Sequence, residues 1–298
     1  MVYHIPALLT ESIDGLNIKP DGIYVDVTFG GGGHSMEILK RLTTGRLIAF
    51  DQDDDAKLNV PDDKRILFLD QNFRFLKNNL LFNNISSVDG LIADLGVSFH
   101  QFDEAERGFT FRQDAPLDMR MNKNGKVTAA ILLNTSDEES LADIFYNYGE
   151  FTNSRRIARE IVAARETKPF KSVNDIIQAI GKLAPFRQEH KFYARIFQSL
   201  RIAVNHEIDY LQEMLEQSLT MLNTGGRLVV ITYHSLEDRL VKNFMRSGNF
   251  AGEEKKDFYG NVETPFRMIT KKGITPGEDE ISSNNRSRSA RLRIAEKI

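Results

Sequence analysis

Asp26-Val27-Thr28-Phe29-Gly30-Gly31-Gly32-Gly33-His34 joins a short β-branched run, residues 23–29, to a stretch with helical spacing at 34–42. Glycines at such a junction let the backbone take positive φ and approach a ligand closely. The helix that follows offers unpaired amides and a positive dipole end to an anionic group. Asp51 ends the next predicted strand, 46–51, and lies 19 positions after Gly32. An acid there can accept both hydroxyls of a ribose. Together these residues read as an adenosine-nucleoside site in a Rossmann-like sheet. A tight turn beside a solvated aspartate is the plainer reading, and four consecutive glycines with a correctly placed acid argue against it.

The dinucleotide fingerprint G-x-G-x-x-G needs glycine at position 35, where the chain has Ser35. Asp26-x-Thr28-x-Gly30-x-Gly32 fits the looser methyltransferase turn better. In that case the helix amides hold the methionine carboxylate of S-adenosylmethionine. Spacing leaves a nicotinamide cofactor open as the alternative.

Outward from this turn, strands are predicted at 46–51, 65–70 and 88–95, with helical spacing at 34–42 and 72–84. Strands separated by helices predict a parallel sheet with crossover connections. From 102 to about 200 the pattern is helical, without a convincing strand. Ser136-Asp137-Glu138-Glu139 reads as a capping box opening one helix, and Ser172-Val173-Asn174-Asp175 starts another. A long helical stretch, 192–222, is interrupted near Asn205. The α/β pattern resumes with a strand at 227–233, a helix at 236–245 and strands at 266–270 and 290–296. Residues 251–265 and 271–289 read as polar loops. The expected fold is α/β, a doubly wound, mostly parallel sheet (1–102 and 200–298) with an inserted all-helical domain (103–199).

The 298 residues include no cysteine, which excludes a disulfide framework, zinc–cysteine and iron–sulfur sites and thiol catalysis. No apolar run approaches the roughly 20 residues of a membrane span, and Met1-Val2-Tyr3-His4-Ile5-Pro6 lacks a signal-peptide pattern. A cytoplasmic protein without a membrane partner is expected. Net charge is −3. Residues 150–205 nevertheless hold eleven Lys/Arg against five Asp/Glu, a local +6, and Arg286, Arg288, Arg291 and Arg293 follow near the end. Such asymmetry fits a basic surface for a polyanion or a set of solvated helix faces. Arg291 and Arg293 alternate with Leu292 and Ile294, so they read as edge-strand charges or as contacts to that polyanion.

Two further strand ends carry chemistry. Asp94 follows the apolar run Leu91-Ile92-Ala93, and with Asp51 it should line one crevice at the carboxyl ends of the strands. It can accept hydrogen bonds from an amino group, or it can simply cap a turn. His234, in Thr232-Tyr233-His234-Ser235-Leu236-Glu237-Asp238-Arg239, should face the same crevice, as a substrate contact or as a structural histidine. Ser235 with Asp238 matches a capping box. Tyr233 or Phe99 can stack on a planar base.

The set Thr28–His34, Asp94-Leu95-Gly96-Val97-Ser98, Glu106-Arg107-Gly108-Phe109, Pro116–Met121, Arg201–Asn205, His234–Arg239 and Asn285–Ser289 resembles the bacterial ribosomal RNA small subunit methyltransferase H (MraW) family, colinearly and along nearly the whole chain. The resemblance implies a class I methyltransferase sheet with an inserted substrate-recognition domain. It implies S-adenosylmethionine-dependent methylation of the 4-amino group of a cytidine in the decoding region of small-subunit RNA. Carried over by position, cofactor contacts come from Gly32, Gly33, His34, Asp51, Phe73, Asp94 and Gln101, and Asp94 and His234 are the catalytic candidates. No residue is assigned to a metal. Family members commonly have arginine where this chain has Gly31, and Ser-Ser-Pro-Gln where it has Ser98-Phe99-His100-Gln101. The second departure leaves Gln101 the least secure carry-over. The expected partner is small-subunit RNA or the assembled small subunit. The oligomeric state stays open, a homodimer included. A nicotinamide-dependent oxidoreductase and a ribosome-assembly binding protein with a vestigial cofactor site are the alternatives.

Overall fold

The computed structural model describes residues 6–98, 101, 102, 104–260 and 262–298. Phe99 and the first five residues, on which two expectations rest, lie outside them. The β-branched and apolar runs form β1 (Ile23–Asp26), β2 (Arg46–Asp51), β3 (Ile66–Asp70), β4 (Val88–Asp94) and β5 (Leu222–Thr232). β6 (Phe266–Met268) and β7 (Arg291–Lys297) complete a seven-stranded sheet among the described residues, in the order β3-β2-β1-β4-β5-β7-β6. The first five strands run parallel, and β7 runs antiparallel to both β5 and β6. This is the class I methyltransferase sheet.

Side chains alternate between two faces with the period of two that a strand imposes. Val25, Ile48, Leu91, Leu228 and Val230 pack on one side with Leu76, Leu80, Leu211, Leu215 and Phe244 from helices. Tyr24, Leu47, Ile92, Val229, Ile231 and Leu292 face the other side with Ile13, Ile38 and Leu39. Both faces are covered, which explains why the strands read as continuous apolar runs.

The chain forms two compact units, one of Met1–Gly96 with Ile208–Ile298, the other of Val97–Glu207. The sequence reading divided the chain at 102/103 and 199/200, and the second of those points falls inside the helix Glu189–Asn205. That helix ends at His206, whose φ of 52° is left-handed, before the helix Glu207–Met221. The second unit has its own core, including Phe145, Ile157, Ile161, Val173, Ile176, Ile196 and Leu200. Several family-like motifs form its scaffold. Arg107 is buried and donates to the carbonyls of Arg120 and Met121 at 3.0 Å each. Asn205 accepts the Met121 N–H and donates to the Met119 carbonyl, both at 2.7 Å. A Cβ on Gly108 would lie 2.2 Å from the Pro116 carbonyl oxygen.

Four local expectations need correction. The helix Glu138–Asn147 is capped by Asp137, whose carboxylate accepts the Ser140 N–H, and not by Ser136. The Ser172–Asp175 box forms as expected. Ser235 is the first residue of the helix Ser235–Ser247 rather than its cap, and Asp238 binds Arg293 through Nε (2.6 Å) and Nη2 (2.9 Å). Arg293 is therefore neither an edge charge nor an RNA contact: β7 lies inside the sheet, and the side chain is 3% exposed. Residues 271–289 are not simply loop, because Glu278–Ser283 is helical and Glu280 accepts the Leu8 N–H at 2.8 Å. Among the described residues, no helix is long and apolar enough to cross a membrane.

Candidate active site

Asp26, at the end of β1, organises the glycine turn. One carboxylate oxygen accepts the Thr28 N–H at 3.0 Å, and the other accepts the Ser35 hydroxyl at 2.7 Å. Thr28 Oγ1 in turn accepts the Asp94 N–H at 2.6 Å. This chain of bonds stitches β1, the helix Gly33–Arg41 and β4 together. Gly30 and Gly32 have φ of +52° and +79°, a region that a side chain makes unfavourable. A Cβ on Gly32 would also meet the Phe29 ring at 3.0 Å, and one on Gly33 would lie 2.2 Å from Pro6. Internal packing thus demands these two glycines, besides any ligand. Gly31 is exposed, which explains why the family's arginine can be absent there.

Asp51 reaches the same turn. It accepts the Gly30 N–H at 2.7 Å and the Asp53 N–H at 2.8 Å, leaving one lone pair free on each carboxylate oxygen in those bonds. Phe73 follows the end of β3, where Asp70 pairs in register with Asp51 at the end of β2. Its short 3₁₀ turn begins at Asn72, whose amide donates to Gln52, the residue after Asp51, at 2.8 Å. His34 is buried, with Nδ1 3.9 Å from Asp94 Oδ2. Burial lowers its pKa to about 4, so the ring is neutral at pH 7 and forms no ion pair with Asp94. Its Nε2 is buried with no hydrogen-bond partner among the described residues. Gln101 belongs to the second unit. Its side chain accepts the Ser98 N–H at 3.1 Å and its backbone N–H donates to Ser98 Oγ at 3.2 Å, so both its side chain and its backbone are held by Ser98.

The contact with Asp94 from the motif after β5 is made by Tyr233, whose hydroxyl donates to Asp94 Oδ1 at 2.8 Å. The sequence reading has Tyr233 stacking on a planar base instead. His234 instead lies beside Glu237, with Nε2 3.1 Å from Oε1. Glu237 Oε2 accepts the Tyr233 N–H at 3.0 Å, fixing the backbone that carries the phenol. Asp26 and Glu237 were thus missed as site residues, and Tyr233 was given a different role, although all three stand inside the motifs quoted above.

Three carboxyl groups converge here. Burial raises Asp26 and Asp51 to about 6 and Asp94 to about 7. Hydrogen bonds from Ser35 and Thr28, from Asp53 and Gly30, and from Tyr233 pull the other way. Tyr233 is itself pushed well above its ordinary value, first by burial and then by Asp94. Such an acceptor set suits a ligand with cationic groups and hydroxyls next to an apolar body.

The profile of the MraW methylase family matches residues 1–298. A protein of Bacteroides fragilis named ribosomal RNA small subunit methyltransferase H is 56% identical over 296 residues, covering 99% of this chain and 97% of its own. Its namesake in Bacteroides thetaiotaomicron is 55% identical over 298 residues, covering 100% and 98%. The one in Flavobacterium johnsoniae is 53% identical over 299 residues, covering 100% and 99%.

Proposed function

The chain belongs to the MraW methylase family, and from that premise we propose that it is an S-adenosylmethionine-dependent methyltransferase acting on the 4-amino group of a cytidine in small-subunit ribosomal RNA. The observation that carries this reading is one crevice edge holding the glycine turn, Asp51 and a Tyr233-anchored Asp94. The residues fit the cofactor. The Gly33 amide suits its carboxylate, Gly32 (its own N–H held by the Phe29 carbonyl at 2.7 Å) lets the backbone approach closely, and Asp51 suits its ribose hydroxyls. Phe73 suits its adenine, and the unpartnered His34 Nε2 adds a polar group at the turn. Bound there, the cofactor supplies an electrophilic methyl group.

The amino nitrogen of cytidine is a weak nucleophile because its lone pair is delocalised into the ring. Asp94 Oδ2 accepts an amino hydrogen and localises that lone pair. When the nitrogen gains its methyl, the displaced proton passes to Asp94. A base with pKa near the working pH is well matched to that role. Tyr233 is a positioning residue that holds Oδ1 and leaves Oδ2 for the amino group. His234 acts through Glu237 on the same backbone rather than at the reacting nitrogen. A base within a paired stem must be extruded to reach such a crevice. The helical unit 97–207 recognises the surrounding RNA, and the preferred substrate is the assembled small subunit rather than free nucleoside or duplex DNA.

Mass spectrometry of small-subunit RNA from cells with and without the gene tests this directly. Loss of one methylated cytidine is the expected difference, and unaltered RNA would refute the reading. A non-catalytic assembly protein would bind particles but transfer no methyl group.

Asp51→Ala should weaken S-adenosylmethionine binding by about 1–3 kcal/mol, through the lost acceptor and through loosening of the Gly30 turn. Calorimetry on the folded variant checks this, and wild-type affinity would remove the turn from the cofactor site. A pH effect follows from the raised carboxyl pKa values. Each of the three groups holds its proton more tightly in the folded chain than in the unfolded one. Their contribution to stability is therefore full below pH 4 and is lost as pH rises through about 6 to 7. A cationic cofactor favours the ionised forms, so binding should release protons and tighten from pH 5.5 to pH 8. Calorimetry in buffers of different ionisation enthalpy measures the protons released; uptake or no exchange would contradict the assignment.

A further inference from the structure

The +6 segment is largely neutralised within its own unit, and most of the cations left over stand on two short chain segments. Arg165 donates to the carbonyls of Leu133 and Ser136, Lys168 pairs with Asp175, Lys182 with Glu160, and Arg201 with Glu207. Arg155, Arg156, Lys171, Arg187 and Lys191 are exposed and form no ion pair among the described residues. Lys191 lines one cavity of about 200 Å³ within the second unit, and Arg155, Arg156 and Arg187, though not Lys171, are close chain neighbours of its wall. Its wall includes Asn153, which opens the helix Ser154–Thr167 just before Arg155 and Arg156, and Gln188, adjacent to Arg187. A fifth cation is built into the wall: Arg195 lies over the Phe151 ring at 4.3 Å and donates through Nε to the Gly149 carbonyl at 2.8 Å. Two acids, Glu150 and Glu189, share this face, and Glu189 already accepts the Arg187 N–H.

Two features of this face run against stability. Arg155 and Arg156 stand in the first turn of their helix, which contains no acid, so they oppose the helix dipole. Phe186 is 81% exposed at the cavity's edge, next to Pro185, with the Arg187 guanidinium 5.3 Å from its ring centre. A polyanion with planar rings relieves both: phosphates screen the arginines, and an unstacked base covers the phenyl ring. An acidic protein segment would answer the charge but not the exposed ring.

We propose that this face, with Arg155, Arg156, Arg187 and Lys191 around the cavity and Phe186 at its edge, docks a single-stranded segment of RNA. The cations take successive phosphates, and Phe186 stacks on one base, the arrangement by which single strands are held without sequence readout. This rests on the reading of the chain as an RNA methyltransferase and names the face of the helical unit that meets the RNA and the form of RNA it takes.

The test uses the full chain and two probes, a fluorescent oligouridylate of 12 nucleotides and purified small ribosomal subunits. The triple variant Arg155→Gln, Arg156→Gln, Lys191→Gln should bind the oligonucleotide at least about tenfold more weakly at 0.15 M salt. Its slope of log affinity against log salt should be shallower by about two, since each lost phosphate contact on a single strand contributes roughly 0.7. Phe186→Ala should lose about tenfold with the slope unchanged, as a stacking contact requires. Circular dichroism and wild-type S-adenosylmethionine affinity verify that each variant is folded. Wild-type affinity and slope in the triple variant would overturn the proposal. So would weakened binding to subunits with unaltered binding to the oligonucleotide, which would point to a ribosomal protein as the partner. Methyl transfer to small subunits by the wild-type protein reports on the underlying reading separately, so failure of one is distinguishable from failure of the other.

Discussion

Exchanging Arg293 for methionine should destabilise the folded chain by about 3 kcal/mol, the lower end of the range for breaking a buried ion pair. The guanidinium is 3% exposed on an interior strand and holds both oxygens of Asp238, so it ties β7 to the first turn of the helix Ser235–Ser247. Removing it leaves a carboxylate facing an apolar strand. The low end applies because Asp238 is 19% exposed and Arg291 Nη1 lies 3.5 Å away as a partial substitute. The double change Arg293→Met, Asp238→Leu should recover much of the loss, because it leaves neither charge unpaired. Urea denaturation measures both. A single variant within about 0.5 kcal/mol of wild type, the range of ordinary surface substitutions, would deny the pair its role. RNA binding should keep its salt dependence in the folded variant, since a buried, paired arginine has no access to phosphate.

That residue also marks where the sequence stopped being legible. Alternation along 290–296 correctly indicated a strand, but it also made the charged face look like surface. Whether a strand is an edge depends on which neighbours it inserts between, and β7 enters antiparallel between β5 and β6. Local chemistry was readable where both partners are close in sequence: the glycine turn, and the Ser172–Asp175 cap. The Ser235–Asp238 cap was misread for the opposite reason, as Asp238 has a stronger partner 55 residues away. The Asp94–Tyr233 bond spans 139 residues and could not be read from spacing at all. A tyrosine ending an apolar strand reads as core, and the carboxylate it meets becomes evident only once β4 and β5 are paired in register.

The Asp94 pair leads to the largest expected effect on activity. Asp94→Asn preserves shape but removes the proton acceptor, so the single-turnover rate at saturating cofactor should fall by at least about tenfold, roughly 1.4 kcal/mol. Loss of a full general base would extend that toward 10²-fold or more. The acid limb of the wild-type pH–rate profile should vanish with it. Tyr233→Phe makes a different prediction through the same carboxylate. The hydroxyl holds the Asp94 pKa down against the burial that raises it. Without that donor the group should titrate higher, and the acid limb should move toward alkaline pH while the rate well above it largely recovers. A purely structural tyrosine would lower the rate at every pH without moving the limb. Cofactor affinity, measured alongside, separates the remaining possibility. If Asp94→Asn weakens binding of S-adenosylmethionine as much as it slows transfer, Asp94 only holds the cofactor, and activation of the amino nitrogen must come from another group.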